Sequence, residues 1–482
     1  MTYDVVVVGG GIGGLTVASL LSARGINVCL LERQSLVGGC VSRIQYSQHE
    51  FEPGLGFYSG WGEGEIHRKI FAELAVLPPE VTAIDSGLVV RLADGIDVKI
   101  LQDDSKFFTE LQRSFPECGE SAVKFYRDLS LETQSGRDKQ TGEGHSLIAK
   151  AIRAFRPRVT STLDEQPAMS FADAASPRFR AFVNVQLRTF TNNALEDIAL
   201  SAARTALTIP RENQYSIKGG PASLAERLAE SISKSGGKVR LDCPVLRLAY
   251  NDSGRAIGVD LLSGETVLAK HAIVSNLTIW DTYGKLVGLK RTPKDVKTML
   301  SSLSGTGVYL LFASAEEVAV SRLPSPRMLV APALTHSDDA RALTFAAPGA
   351  TEIVAPAGKR SVTVSTQVEV NDWFTFQSSQ EDLEEWDQAA LEKMWDQLHR
   401  ALPELGSDIE AIETANPRTF YDTTRRKLGM VLGAGKNATT SHTTCLPNLF
   451  MVGDTVSTAP TIASVSQCAL ELADKLTALV NR

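Results

Sequence analysis

The chain has 482 residues, of which 43% are hydrophobic, enough for a large core spread over two or three domains or one interrupted domain. A net charge of −7, with acids and bases scattered along the chain, lacks the basic footprint of a nucleic-acid binder. The six cysteines are far apart and form no C-x-x-C pair, which argues against a zinc site or a disulfide framework, and no apolar run approaches the ~20 residues of a membrane-spanning helix. The expected setting is a reducing, cytoplasmic one. With the first strand starting at about Tyr3, no cleavable leader is expected.

Val5 to Val8 are an unbroken β-branched run, the pattern of a strand buried on both faces of a parallel sheet. Gly9, Gly11 and Gly14 follow in G-x-G-x-x-G spacing, with Ile12 and Gly13 inside the turn, and Leu15 to Ala23 continue as an apolar helix ending at Gly25. Strand, tight turn and helix in this order cradle a pyrophosphate on backbone N–H groups at the helix N-terminus. A second strand, Asn27 to Leu31, ends in Glu32, placed to accept hydrogen bonds from an adenosine ribose. These residues predict an α/β dinucleotide-binding fold and leave NAD and FAD equally open.

Arg33 and the pair Gly38-Gly39, followed by Cys40, come next, and then Phe51-Glu52-Pro53-Gly54. Here the chain resembles the FAD-dependent amine oxidase superfamily, and within it the carotenoid desaturase, carotenoid isomerase and retinol saturase group. The resemblance implies FAD as cofactor, bound by a Rossmann-like domain that a mixed α+β substrate domain interrupts. It makes Gly9, Gly11, Ile12, Gly13, Gly14, Glu32, Arg33, Gly38, Gly39 and Cys40 the first part of the cofactor cradle, with the glycine pair passing beside the diphosphate. Arg91 to Val98 looks like the entry into the substrate domain, and Tyr215 to Leu224 resembles the turn that returns from it. The strand Lys238 to Leu241 follows, and the resemblance gives Val245 a backbone pairing with adenine. Strands at Ala256 to Leu262 and Ala272 to Ser275 continue the pattern, and Ser275 with Asn276 matches its usual ending. Near the C-terminus, Gly453-Asp454 would bring a carboxylate to the ribityl chain. A helix from about Ala463 to Leu479, entered at Ile462, would aim its N-terminus at the isoalloxazine O2.

Three departures from the group's pattern stand out. Glu52 replaces an aspartate, and Ser457 to Ile462 replaces a proline-glycine-x-glycine loop. Gly39-Cys40 replaces a glycine-arginine pair and is more similar to the retinol saturases.

The resemblance assigns 1–75, 210–285 and 415–482 to the FAD-binding domain and 76–209 with 286–414 to the substrate domain. Gly305-Thr306-Gly307 and Gly433-Ala434-Gly435 open no helix and meet no acid at dinucleotide spacing, so they predict turns or pocket walls. With no NAD domain, the expected electron acceptor is oxygen or a quinone. Residues 361–376 alternate with period two as a half-buried strand, and Leu383 to Leu402 reads as a surface helix with Leu391, Met394, Trp395 and Leu398 inward. Residues 145–158 form a basic amphipathic pattern, either a helix packed on its own core or one that docks peripherally on an anionic membrane. His49, Glu52 and Tyr58 lie on the segment expected to approach the flavin and are the candidate acid–base residues; no metal site and no nucleophile elbow is present.

The reaction expected from the resemblance is desaturation of a lipophilic polyene or isoprenoid, with hydride passing to flavin N5. The alternatives are redox-neutral cis–trans isomerisation or double-bond saturation, amine oxidation, and a non-enzymatic prenyl-protein escort.

Overall fold

A computed structural model describes residues 1–84, 87–138, 168, 176–303, 305–332, 341–374, 380–434 and 441–481. The amphipathic stretch 145–158 lies outside the described residues. The strand Thr2–Val8 runs through the middle of a seven-stranded sheet, and Val5, Val6 and Val7 are fully buried, as the apolar run requires. Its neighbours are Val28–Leu31 on one side and Thr266–Ser275 on the other, both parallel to it. Lys238–Arg240 extends the sheet beyond Val28–Leu31. On the far side Ala256–Leu261 and Val245–Tyr250 pair antiparallel, and Leu449–Met451 pairs parallel with Thr266–Ser275. The helices that pack here include Ile12–Ala23, Gly220–Lys234 and the C-terminal Ile462–Val480. Leu15, Leu20, Leu224, Leu228, Leu472 and Leu476 from these helices join the sheet valines in one core.

A second seven-stranded sheet takes its strands from other parts of the chain, in the order Ile409–Ala415, Gly307–Glu316, Lys359–Val368, Leu343–Ala346, Arg327–Val330, Val89–Arg91 and Asp97–Lys99. All of its pairings are antiparallel except that of Arg327–Val330 with Val89–Arg91. One face carries the helices Asp104–Ser114, Gly119–Asp138 and Pro177–Thr191 over an aromatic core that includes Phe107, Phe115, Tyr126, Phe179 and Phe182. The helix Gln380–Ala401 helps cover another core with Met394 and Leu398 buried and Leu391 and Trp395 packed alongside, as the heptad-like spacing anticipates. The fold is therefore α/β with mixed sheets. A short ladder, Val81–Ala83 with Tyr215–Ile217, ties the chain where it leaves and re-enters the nucleotide-type sheet.

One element ends earlier than its alternation suggests. The strand at 361–376 is Lys359–Val368, and a 3-10 turn follows at Asn371–Trp373. Its partner strand begins at Gly307, opposite Val368, so no ladder remains to extend; Trp373 instead turns inward and stacks on Tyr309 at 5.8 Å. Among the described residues no helix is long and apolar enough to cross a membrane.

Candidate functional site

A single cavity of about 1810 Å³ joins the two sheets' territories. At one end it is walled by Gly9, Gly11, Ile12 and Gly13, where the first helix begins. Gly9 sits at φ +100°, a conformation only glycine adopts without strain, and Gly11 caps the helix without any side-chain bond. The first-turn N–H groups therefore open toward the cavity with no side-chain cap, which fits an anionic diphosphate. Gly14 does not line the cavity. A Cβ there would lie 2.2 Å from the Gly9 carbonyl oxygen, so its role is the close packing of helix on strand.

Glu32 lines the cavity and accepts from Gly10 N (2.6 Å) on one carboxylate oxygen and from Gln34 N (2.8 Å) on the other. Each oxygen keeps a lone pair, so the acid both braces the turn and can take ribose hydroxyls. Arg33 and Val245 line the cavity beside it, as do Gly38, Gly39 and Cys40 across from the turn. Gly38 N donates to Gly10 O at 2.8 Å, which holds the second glycine pair against the first, and Gly38 and Gly39 both have positive φ. Burial raises the Cys40 thiol above its ordinary value, which disfavours the thiolate.

Ser275 is turned away: it is fully buried, bonded to Thr282 Oγ1 at 2.8 Å, and not in the cavity wall. The next residue, Asn276, takes that position. A Cβ on Gly11 would meet its Nδ2 at 2.6 Å and one on Gly13 its Oδ1 at 2.7 Å, so its amide fills the hollow of the turn. Alternation along the strand ending at Ser275 would have pointed to the neighbour of a buried serine.

Asp454 lines the cavity after Gly453, which has φ +131°, and its carboxylate is held by Arg426: Nη1 to Oδ1 at 3.2 Å and Nη2 to Oδ2 at 2.6 Å. Arg426 also donates to Met430 O at 2.6 Å and itself lines the cavity. Sequence reasoning missed it, since nothing local distinguishes it from the adjacent Arg425 and Lys427. Thr461 accepts from Ser464 N at 3.2 Å as N-cap, and Thr461, Ile462 and Ala463 line the cavity, so the C-terminal helix points its N-terminus inward.

The three acid–base candidates part company. His49 lies outside the cavity wall, its Nε2 at 3.0 Å from Ser314 Oγ and its ring stacked on Phe51, and burial lowers its pKa. Tyr58 lines the cavity, and its backbone pairs both ways with Tyr215. Glu52 stands just behind the wall, 3% exposed, with Oε2 unpartnered and Tyr58 beside its carboxyl. Burial raises Glu52 from 4.5 to about 8, against the pull of nearby Arg327 and with a further push from Glu352. Arg327 is committed to Glu352 and to the Leu55 and Gly56 carbonyls. Burial also raises Tyr58, next to Glu52, well above 10. Glu52 and Tyr58 thus form a protonated pair behind and at the wall, able to hold a proton beside the cavity.

Because the folded chain keeps the Glu52 proton up to about pH 8 while the unfolded chain releases it near 4.5, this group's contribution to stability is complete below 4.5 and is lost as pH rises through 8. E52Q, uncharged at every pH, should flatten the decline in Tm between about pH 5 and 8. An unchanged slope in thermal melts across that range would show that Glu52 is ionised in the fold.

Residues 7–74 match the family model of an NAD(P)-binding Rossmann-like domain. The sequence is similar to a prolycopene isomerase of Daucus carota, 24% identical, covering 94% of this chain and 76% of the relative. It is also similar to an all-trans-retinol 13,14-reductase of Danio rerio, 26% identical over 61% of this chain and 50% of the relative, so the chain spans half of that protein's length. A putrescine oxidase structure with putrescine bound shares the fold with a TM-score of 0.63 at 15% identity, covering 99% of both chains.

Proposed function

We propose that this chain, whose sequence relatives are carotenoid isomerases and retinol reductases of the flavin amine oxidase superfamily, is an FAD-dependent oxidoreductase acting on the double bonds of a lipophilic polyene or isoprenoid. The observation that carries the reading is the continuity of the cavity, from the uncapped glycine turn at Gly9 to Gly13, past Tyr58 and the Thr461 helix end, into a chamber walled by Phe57, Phe190, Leu310 and Phe312. Apolar aromatic walls suit an extended hydrocarbon, since each buried CH₂ contributes about 0.8 kcal/mol. Gly11, Ile12, Gly13, Gly38 and Gly39 would hold the diphosphate, Glu32 and Val245 the adenosine, and Asp454 with Arg426 the ribityl side. Bound there, FAD would supply a two-electron acceptor or donor at N5. The protein's part is to orient the polyene, keep water out, and hold a proton on the Glu52–Tyr58 pair. Glu32 and the Gly453-Asp454 turn favour a resident flavin over the escort alternative.

Isomerisation or saturation is favoured over desaturation by the functions of the relatives and by the Gly39-Cys40 sequence. Electron accounting separates the three. In anaerobic mixing with a poly-cis polyene, isomerisation leaves flavin absorbance unchanged at the end while the polyene spectrum shifts. Desaturation bleaches oxidised flavin stoichiometrically, and saturation reoxidises flavin that was reduced beforehand. A flavin-loaded protein that changes no polyene in any redox state would overturn the reading.

A further inference from the structure

Part of the cavity wall is not apolar. The helix Pro177–Thr191 lays Arg180, Asn184 and Arg188 on the cavity at four-residue spacing, one polar stripe, with Ala181 and Val185 beside it. Across from it Arg341 donates from Nη1 to the Gln367 carbonyl at 2.8 Å, and the Gln367 side-chain amide donates to the Arg188 carbonyl at 2.6 Å. Gln367 therefore ties the Arg188 and Arg341 segments together at one rim of the cavity, and all three residues line it.

The carboxylates of the described cavity wall are mostly committed elsewhere. Glu32 serves the glycine turn, Asp281 pairs with Lys285 at 2.9 Å, and Asp454 pairs with Arg426. Glu369, exposed and two residues beyond Gln367, is the remaining one. This part of the wall thus presents the guanidinium groups of Arg188 and Arg341. A pure hydrocarbon pressed against them would strip their water and return nothing, and a diammonium substrate would be repelled. A carboxylate matches the planar guanidinium fork, and its charge-assisted hydrogen bonds replace the lost hydration.

Resting on the reading of the cavity as a polyene site, we propose that its substrate is an amphiphile, a polyene or isoprenoid chain ending in a carboxylate that Arg188 and Arg341 receive at the rim held by Gln367. Arg180 and Asn184 continue the polar stripe along the same helix face, and the chain lies back along Val185 and Phe57 toward Tyr58. The same placement makes the acid end the fixed point from which the reacting double bond is measured.

All-trans-retinoic acid and all-trans-retinol differ only at the head and serve as probes. Titrated into the flavin-loaded protein and followed by quenching of tryptophan fluorescence, the acid should bind about tenfold more tightly than the alcohol. In R188Q and R341Q the preference should collapse toward one, with flavin content, read from the visible spectrum, unchanged. Acid and alcohol bound equally by the unaltered protein would overturn the carboxylate assignment while leaving the polyene site standing, as would variants that keep the full preference. Failure of both retinoids to bind a protein with an intact flavin spectrum would overturn the polyene reading itself, and the carboxylate assignment with it.

Discussion

Replacing Gly14 by valine is expected to give a protein that purifies without flavin and with reduced thermal stability. A Cβ at this position would lie 2.2 Å from the Gly9 carbonyl oxygen and 3.1 Å from Asn276 Cβ, and both neighbours are fixed. Gly9 is the last residue before the turn, its N–H bonded to Leu31 O at 2.9 Å, and Asn276 N is bonded to Val8 O at 2.8 Å. Neither can retreat without breaking a ladder of the central sheet, so the helix Ile12–Ala23 must lift from its strand. Valine adds two methyl groups to the clash, and overpacking of this kind costs about 3 kcal/mol. The displaced helix also withdraws the first-turn N–H groups from the cavity. Measured by the ratio of visible to ultraviolet absorbance and by Tm, a G14V protein with full flavin content and an unchanged melt would refute the close-packing role.

The second large effect is expected at Arg426. Its guanidinium makes two bonds to Asp454 and one to the Met430 carbonyl, with the two side chains only 15% and 24% exposed. R426M leaves the Asp454 carboxylate with a single long contact, from Gly433 N at 3.4 Å, in a place where water reaches it poorly. Breaking one side of a largely buried pair costs about 3 kcal/mol, whereas removing both charges costs much less. The double variant R426M/D454N should therefore recover most of the lost stability in denaturant melts. It should not recover flavin affinity, because the guanidinium and the carboxylate charge that would meet the ribityl side are both gone. Equal stability of the single and double variants would show that the pair contributes nothing; flavin affinity unchanged in either would remove both residues from the cofactor site.

These two positions also mark what could and could not be read from the chain. Gly14 is legible because its constraint is local: strand, turn and helix follow one another within a few residues, and the glycine spacing records how closely they pack. Arg426 carries no such mark, because its partner Asp454 belongs to another segment and the pairing exists only once both line one cavity. Ser275 and Asn276 show the limit at single-residue scale. The motif match reached the right strand end, yet the direction in which each side chain points depends on the sheet, which buries Ser275 and turns Asn276 into the glycine hollow. His49, Glu52 and Tyr58 looked equivalent as neighbours on one segment. The fold separates them, sending His49 to Ser314, Glu52 behind the wall and Tyr58 onto it.

The sequence by itself determined the α/β class, the dinucleotide turn with its acid at Glu32, and the patterns of the first strand, the first helix and the helix Gln380–Ala401, since these are set by steric and hydrophobic patterns over a few neighbouring residues. Only the tertiary structure decided the joined cavity, the Arg426–Asp454 pair, the raised Glu52 carboxyl and the Arg188–Gln367–Arg341 rim. Each of these depends on burial and on charges brought together from distant segments, and Coulomb and desolvation energies take their size from distance and surroundings in space, which no local pattern encodes.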